Sequence, residues 1–149
     1  MRRCARGFTL VELVTIMIIV GVLAVVAIPR MDTSGFRATE FRDQVVAALR
    51  FAQKTAASHR RNVCVAFPDN HSLALTIAAQ WGGACDTALP IPGTNGNRLV
   101  SGDSASVYFV DPQPAALTFA HDGTGADRTI NINGAASAIA VVGATGYVH

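Results

Sequence analysis

Hydrophobic and polar positions divide this chain into an apolar run, an amphipathic segment and a part with the pattern of short strands. The apolar run extends from Phe8 to Ile28, and all its residues are apolar or small except Thr9, Glu12 and Thr15. A helix needs about 20 apolar residues to cross a bilayer. We therefore predict that residues 8–29 form a transmembrane helix.

The amphipathic segment follows at residues 30–61. Its apolar residues recur at helical spacing, at Phe41, Val45, Ala48, Leu49, Ala52 and Ala56. Acidic residues lie early in the segment and basic residues lie late, which is the order that the helix dipole favours. Pro29 is expected to kink or break the helix between the two parts. The pattern predicts one long bent helix, whose second half packs its apolar stripe on a folded domain.

Residues 62–149 have the pattern of short strands separated by turns. Two runs, Val63–Phe67 and Leu73–Ile77, flank a turn at Pro68–His71 and predict a hairpin. Further strands are expected at 106–110, 117–121, 129–133 and 138–142. The stretch from Gly82 to Asp103 is rich in Gly, Pro and Asn, which predicts a loop. Together these elements predict an α+β fold, in which the helix covers one face of a mainly antiparallel β-sheet.

The charge distribution orients the apolar run. The chain has 149 residues and a formal net charge of +2, but Arg2, Arg3 and Arg6 all precede the run. Without residues 1–7, nine Lys and Arg stand against ten Asp and Glu, a net charge of −1. By the positive-inside rule, the three arginines place the N-terminus in the cytoplasm and the strand-rich part on the other side of the membrane. The run is too long for a cleaved secretory signal.

Glu12 is an ionisable residue within the apolar run. A carboxylate is costly in hydrocarbon, and it normally marks a functional site that has a partner. A plain signal anchor is an alternative interpretation of the run. Glu12 and the Gly7–Phe8 junction argue against that alternative.

Three stretches resemble the N-terminus of type IV pilins and of the pseudopilins of type II secretion. They are Gly7–Leu13, Gly21–Ala24 and Ala27–Arg30. In that family a membrane-embedded prepilin peptidase cuts after the glycine and methylates the new N-terminal amine. The resemblance implies that residues 1–7 are a prepilin leader, that the cut falls between Gly7 and Phe8, and that Phe8 becomes N-methylated.

The resemblance also supplies a partner for Glu12. This residue is the fifth of the processed chain, and in the family that carboxylate pairs with the N-terminal amine of a neighbouring subunit during assembly. Such pairing favours the charged form and rewards the correct register. The implied partners are the prepilin peptidase, major and minor pilins or pseudopilins, and the inner-membrane assembly platform. The implied location is a single pass through the bacterial inner membrane, with the C-terminal domain in the periplasm, followed by a filament.

The strand-rich part resembles the C-terminal half of the GspH/FimT group of minor pilins and pseudopilins, which have a type IV pilin-like fold. The stretches that carry this resemblance are Leu117–Phe119, Gly123, Gly125, Ile130–Ile132, Ile139–Val141 and Thr145–Gly146. The most similar branch is the MshC-like minor pilin of MSHA pili. The resemblance implies a minor pilin of a type IV, MSHA-like pilus. A GspH-like pseudopilin of type II secretion is the alternative within the same class.

A DNA-uptake receptor of the FimT type is an alternative from another class. Such receptors carry arginines in a short C-terminal motif, whereas the matching positions here hold Tyr147 and His149. Residues 62–149 contain only Arg98 and Arg128 against six Asp, a net charge of −4. A nucleic-acid partner is disfavoured, because phosphate binding depends on clustered Lys and Arg. The amphipathic segment has a net charge of +4. We expect it to attract the acidic strand-rich part of neighbouring subunits.

The cysteines fit an exported domain. Cys4 falls in the leader, which leaves Cys64 and Cys85 as an even pair in a compartment that permits disulfides. A disulfide between them would close a loop of about 20 residues and would stabilise the fold by about 3 kcal/mol. Two free buried thiols are the alternative.

The chain is not expected to be an enzyme. His121-Asp122-Gly123 resembles a fragment of a catalytic site, but Asp-Gly between two strands predicts an ordinary hairpin turn. The histidines have no ligand-like spacing with either remaining cysteine, so no metal and no cofactor are expected.

Overall fold

The computed structural model describes residues 8–27 and 34–149, and the side chains of 8–24 and 35–149. The predicted cleavage residue Gly7 and the predicted kink at Pro29 lie outside these residues. The chain divides into two compact units, Met1–Thr33 and Ser34–His149. Each unit holds one helix. The prediction of a single bent helix rests on residues 28–33, which are also outside the described part.

The first helix, α1, extends over Leu10–Ala27. Thr9 begins it as an N-cap, because its Oγ1 accepts a hydrogen bond from the backbone N–H of Glu12 at 3.3 Å. Thr15 donates its hydroxyl to the carbonyl of Glu12 at 2.9 Å. Within the described residues, no helix combines the length and the apolarity needed to span a membrane.

The second helix, α2, extends over Ser34–His59. The six apolar positions that predict its inner stripe are all buried, with exposures of 0 to 3%. The helix ends in a Schellman-type turn, in which the N–H of Arg61 donates to the carbonyl of Ala56 at 3.2 Å. Arg60 adopts a positive φ of 52° in this turn, a conformation that normally favours glycine.

The larger sheet has five antiparallel strands: β1 (Val63–Asp69), β2 (Ser72–Ala78), β3 (Cys85–Ala88), β4 (Arg98–Val100) and β5 (Leu117–Phe119). Their order is β3-β2-β1-β5, and β4 also pairs with β2. The predicted β1–β2 hairpin is confirmed, with Val65 opposite Leu75. The predicted loop at 82–103 is wrong in part, because it contains β3 and β4. These strands are short, and their own sequences carry no strand pattern. They form because they pair with the open edge of β2.

The smaller sheet has three antiparallel strands: β6 (Arg128–Ile130), β7 (Ile139–Val142) and β8 (Tyr147–Val148). The predicted strands at 129–133 and 138–142 correspond to β6 and β7. The strand expected at 106–110 forms only a bridge between Phe109 and Ile132. Sequence periodicity also misses β8, because two residues are too few for an alternating pattern.

One hydrophobic core joins α2 to both sheets. Phe109 lies in it with no exposed surface, and its ring centroid is 5.5 Å from that of Phe41 and 5.0 Å from that of Phe67. Phe109, which the sequence predicts to lie in a strand, therefore serves mainly to fill the hydrophobic core. The predicted α+β architecture, with an N-terminal helix packed on antiparallel sheet, is confirmed.

Candidate functional site

The start of α1 presents the N-terminal candidate residues. Phe8 is 77% exposed and directly precedes the cap residue Thr9. Glu12 lies at the third helical position, so the Thr9–Glu12 spacing is that of a capping box. Among the described side chains, none lies within ion-pair distance of the Glu12 carboxylate.

The α1 helix exposes large apolar side chains on all of its faces. Their exposures run from 45% at Val14 to 80% at Leu10. A contiguous apolar surface of this kind marks a site of association with protein or lipid. The described side chains of α1 carry a single ionisable group, at Glu12, so this surface associates by burying and packing apolar groups.

A disulfide joins Cys64 of β1 to Cys85 of β3, with an S–S distance of 2.07 Å and 6.0 Å between the Cα atoms. The predicted pairing is confirmed. Both strands flank β2, so the bond ties the loop that precedes β3 to the centre of the larger sheet. Trp81 lies in that loop, 70% exposed, with its ring edge-on to His121 at a centroid distance of 5.7 Å.

His121-Asp122-Gly123 forms a turn, but not the hairpin that the sequence predicts. The strands that it joins, β5 and β6, belong to different sheets. The Asp122 carboxylate accepts hydrogen bonds from the hydroxyl of Thr124 at 2.7 Å and from its backbone N–H at 2.9 Å. These two bonds hold the pKa of Asp122 below its ordinary value of 3.8. The carboxylate therefore stabilises the turn, which explains this fragment without catalysis.

The end of the chain is held against α2 by side chains that the sequence analysis did not single out. The Arg50 guanidinium donates to the carbonyl of Val148 through Nε at 3.1 Å and a terminal nitrogen at 3.0 Å. Gln53 donates to the carbonyl of Thr145 at 2.9 Å. The Tyr147 and His149 rings stack at 5.3 Å. No sequence motif gives these contacts, because they pair a helix with a chain end nearly 100 residues away.

The arginines of residues 62–149 are engaged in the fold. Arg98 forms an ion pair with Asp69 and donates Nε to the hydroxyl of Ser72 at 2.9 Å. The backbone N–H of His71 also donates to Asp69, and this bond is the main cause that lowers the pKa of Asp69. Arg128 donates to the carbonyl of Ala116 at 3.4 Å. These arginines lie on different strands and form no basic cluster.

Comparisons with known proteins agree with this geometry. The family model of the prokaryotic N-terminal methylation motif matches residues 2–28, a stretch that includes Gly7, Phe8 and Glu12. The type IV narrow pilus major component PilA5 of Thermus thermophilus is 29% identical over 131 residues, which are 86% of this chain and 96% of that protein.

Solved structures show the same fold. One crystal form of the type IV minor pilin FimU of Pseudomonas aeruginosa superposes with a TM-score of 0.57 at 18% identity, over 78% of this chain and 90% of that one. A second crystal form gives 0.52 at 17% identity, over 74% and 89%. The chain has a type IV pilin-like fold, and its residues 2–28 match the N-terminal methylation motif. The methylation motif and the disulfide belong to different compact units.

Proposed function

We propose that this pilin-like protein is a minor pilin, a structural subunit that is processed and then incorporated into a type IV, MSHA-like pilus. The leader would be cut between Gly7 and Phe8, and the new amine of Phe8 methylated. The observation that carries the proposal is the helix that starts two residues after Phe8. It lies inside the matched motif and exposes apolar side chains on every face.

Residues 8–29 would anchor the protein in the bacterial inner membrane before assembly, with the N-terminus in the cytoplasm and the folded unit in the periplasm. The apolar run and the arginines that precede it support this topology. The prepilin peptidase, other pilins and the inner-membrane assembly platform would act on the protein in turn. Pro29 would let the chain bend where it leaves the membrane.

Glu12 would set the register of each new subunit. A carboxylate left alone in apolar surroundings is costly, and a cation at hydrogen-bond distance removes most of that cost. The processed amine of Phe8 in a neighbouring subunit would supply the cation. Because only one axial position brings the two groups together, misplaced subunits would retain an unpaired buried charge and would be rejected.

A pilus is favoured over a type II secretion filament, because PilA5 and FimU are both named as components of type IV pili. A nucleic-acid receptor is disfavoured by the chain end, where Tyr147 and His149 stand in place of arginines. The Arg50 guanidinium nearby is already bound to the carbonyl of Val148.

The Glu12→Gln variant tests the proposal. It keeps the shape and removes the charge, so the protein should still be processed and held in membranes but should be largely lost from sheared filaments. Thr15→Ala, one turn further along the same helix, is the matched control and should assemble normally. Wild-type levels of the Glu12→Gln variant in filaments would overturn the role of Glu12 in register.

A further inference from the structure

Two asparagines of this chain are followed by glycine, and their surroundings differ. Asn95 lies in the loop between β3 and β4, and Asn133 lies in the turn between β6 and β7. An Asn-Gly pair can react without an enzyme, because glycine is flexible and has no Cβ to shield its backbone nitrogen from the asparagine side chain. The surroundings of each pair therefore decide whether it reacts in the folded protein.

Asn133 is held by hydrogen bonds at its side chain and at its backbone. Its Nδ2 donates to the carbonyl of Ser106 at 2.9 Å, and its backbone N–H donates to the carbonyl of Tyr108 at 2.8 Å. Gly134 has a φ of 79°, and a Cβ on it would lie 3.2 Å from the Ala38 side chain of α2. Both residues of this pair are thus fixed against their neighbours.

Asn95 is exposed, and in the part of the chain that the structure describes, its side chain takes part in no hydrogen bond. The next residue, Gly96, is held by its carbonyl, which accepts from the N–H of Ile91 at 2.8 Å and from the hydroxyl of Thr94 at 2.8 Å. The N–H of Gly96 makes only a long contact of 3.4 Å with that hydroxyl. Open space surrounds Gly96, since a Cβ on it would meet nothing within 4 Å.

We propose that Asn95 is a site of spontaneous deamidation through Gly96, and that the fold protects Asn133. The backbone nitrogen of Gly96 attacks Cγ of Asn95 and forms a cyclic imide. The Cγ–Nδ2 bond breaks, and Nδ2 leaves as ammonia with the proton that the Gly96 nitrogen gives up. Water then opens the imide at either carbonyl, so the product is an aspartate or an isoaspartate. No oxidant or reductant takes part.

The reaction changes the loop in two ways. Both products add a carboxylate to its exposed tip. The isoaspartate also inserts a main-chain carbon before Gly96, which displaces the carbonyl that accepts from Ile91 and Thr94. Ile91 is only 4% exposed, and together with Phe51 of α2 and Leu99 it lines a cavity of about 330 Å³. The modification therefore loosens the contact of this loop with α2.

Peptide mass spectrometry of the full-length protein tests the assignment. The protein would be incubated in detergent at mildly alkaline pH, reduced, and cut after its arginines. This places Asn95 and Asn133 on separate peptides, 62–98 and 129–149, and fragmentation assigns the mass gain to a residue. We expect Asn95 to react about tenfold faster, because Asn133 must first break its hydrogen bonds. Comparable rates at the two sites in the folded protein would overturn the proposal.

A variant and an unfolded sample separate the effect of the fold from that of the local sequence. Gly96→Ala places its Cβ in open space, so the loop is kept, and it should slow the reaction of Asn95 by about tenfold because the nitrogen is shielded. In denaturant, Asn95 and Asn133 of the wild-type chain should react at similar rates. An unchanged rate in Gly96→Ala would overturn the route through Gly96. A difference that persists in denaturant would overturn protection by the fold.

The loosening of the loop has its own readout. Hydrogen exchange at the Ile91 amide should be faster in protein aged until Asn95 has reacted than in fresh protein, because the acceptor of this amide has moved. The Ala140 amide, which donates to the carbonyl of His149 at 2.7 Å in the smaller sheet, is the internal control and should not change. Equal exchange at Ile91 in both samples would contradict the loosening.

Discussion

The two helices of this chain use apolar side chains in opposite ways. In α2 one stripe is buried against the sheets, and the remaining faces carry mainly charged, polar and small residues, with Phe36 as an exposed large apolar residue. In α1 every described side chain is exposed, and nearly all are apolar. The buried face of α2 is therefore covered by the same chain, whereas the described side chains of α1 remain exposed. Under the proposed function, we expect the stability of the fold to depend on α2 and the assembly of subunits to depend on α1.

The difference predicts how substitutions should act. A change on the buried face of α2, or in what packs on it, should lower the free energy of unfolding. A change in α1 should leave that quantity nearly unaltered and should act on association instead. The four predictions that follow would break or sharpen this division.

The largest effect is expected at Gly146, which belongs to the chain end that packs on α2. A Cβ at this position would lie 1.9 Å from the carbonyl oxygen of Gly123 and 3.0 Å from the Gln53 side chain, at a φ of 64°. We expect Gly146→Ala to lower the free energy of unfolding by about 4 kcal/mol, measured by denaturant titration of the full chain in detergent. Gly96→Ala, whose Cβ would meet nothing within 4 Å, is the control. Equal stability of the two variants would contradict this packing.

The direct comparison of the helices uses one substitution in each. Leu49 in α2 is fully buried, and Leu13 in α1 is 52% exposed. Leu49→Ala should lower the free energy of unfolding by about 3 kcal/mol, because it leaves a cavity and removes a buried side chain. Leu13→Ala should change it little, in the same denaturant titration. A comparable loss from Leu13→Ala would show that α1 also contributes to the stability of the folded unit.

A gain is expected at the end of α2. The positive φ of 52° at Arg60 is conformationally unfavourable for a residue with a Cβ, and glycine adopts it without that cost. Arg60→Gly should therefore raise the free energy of unfolding by about 0.5–1 kcal/mol. The comparison with Ser58→Gly, which should be destabilising inside the helix, controls for added backbone freedom. A loss of stability in Arg60→Gly would indicate that the arginine side chain outweighs the strain.

The smallest effect is expected at Asp122. Its pKa is lowered in the folded state by the hydroxyl of Thr124 and then by the backbone N–H of Thr124. The stabilisation is therefore present above the ordinary value of 3.8 and is lost as the pH falls through the folded pKa. Asp122→Asn keeps an acceptor but does not titrate, so its thermal stability should fall less steeply with acid. Identical pH profiles of the two proteins would rule out this contribution.

The helices and strands that have a local sequence pattern of their own could be predicted from the sequence. The buried stripe of α2 follows from its 3.6-residue period, and the β1–β2 hairpin follows from two alternating runs around a turn. In contrast, β3 and β4 depend on the edge of β2 and have no pattern of their own. The packing of Gly146 on Gly123 joins distant positions, which no spacing rule relates.

The features of the candidate site also divide into those that a local sequence pattern predicts and those that only the structure shows. The methylation motif around Gly7, Phe8 and Glu12 is contiguous, so it could be found without a structure. The Cys64–Cys85 disulfide could be predicted because only two cysteines follow Gly7 in the sequence. The contacts of Arg50 and Gln53 with the chain end could not be predicted, because they join a helix to backbone carbonyls more than 90 residues away.

We propose that α1 serves assembly while α2 serves folding. The most direct test is to isolate the protein from sheared filaments and measure the mass of its N-terminal peptide. We expect a peptide that begins at N-methylated Phe8, so that α1 lies at the very start of the assembled subunit. A peptide that begins at Met1, in protein that never leaves the membrane fraction, would contradict it.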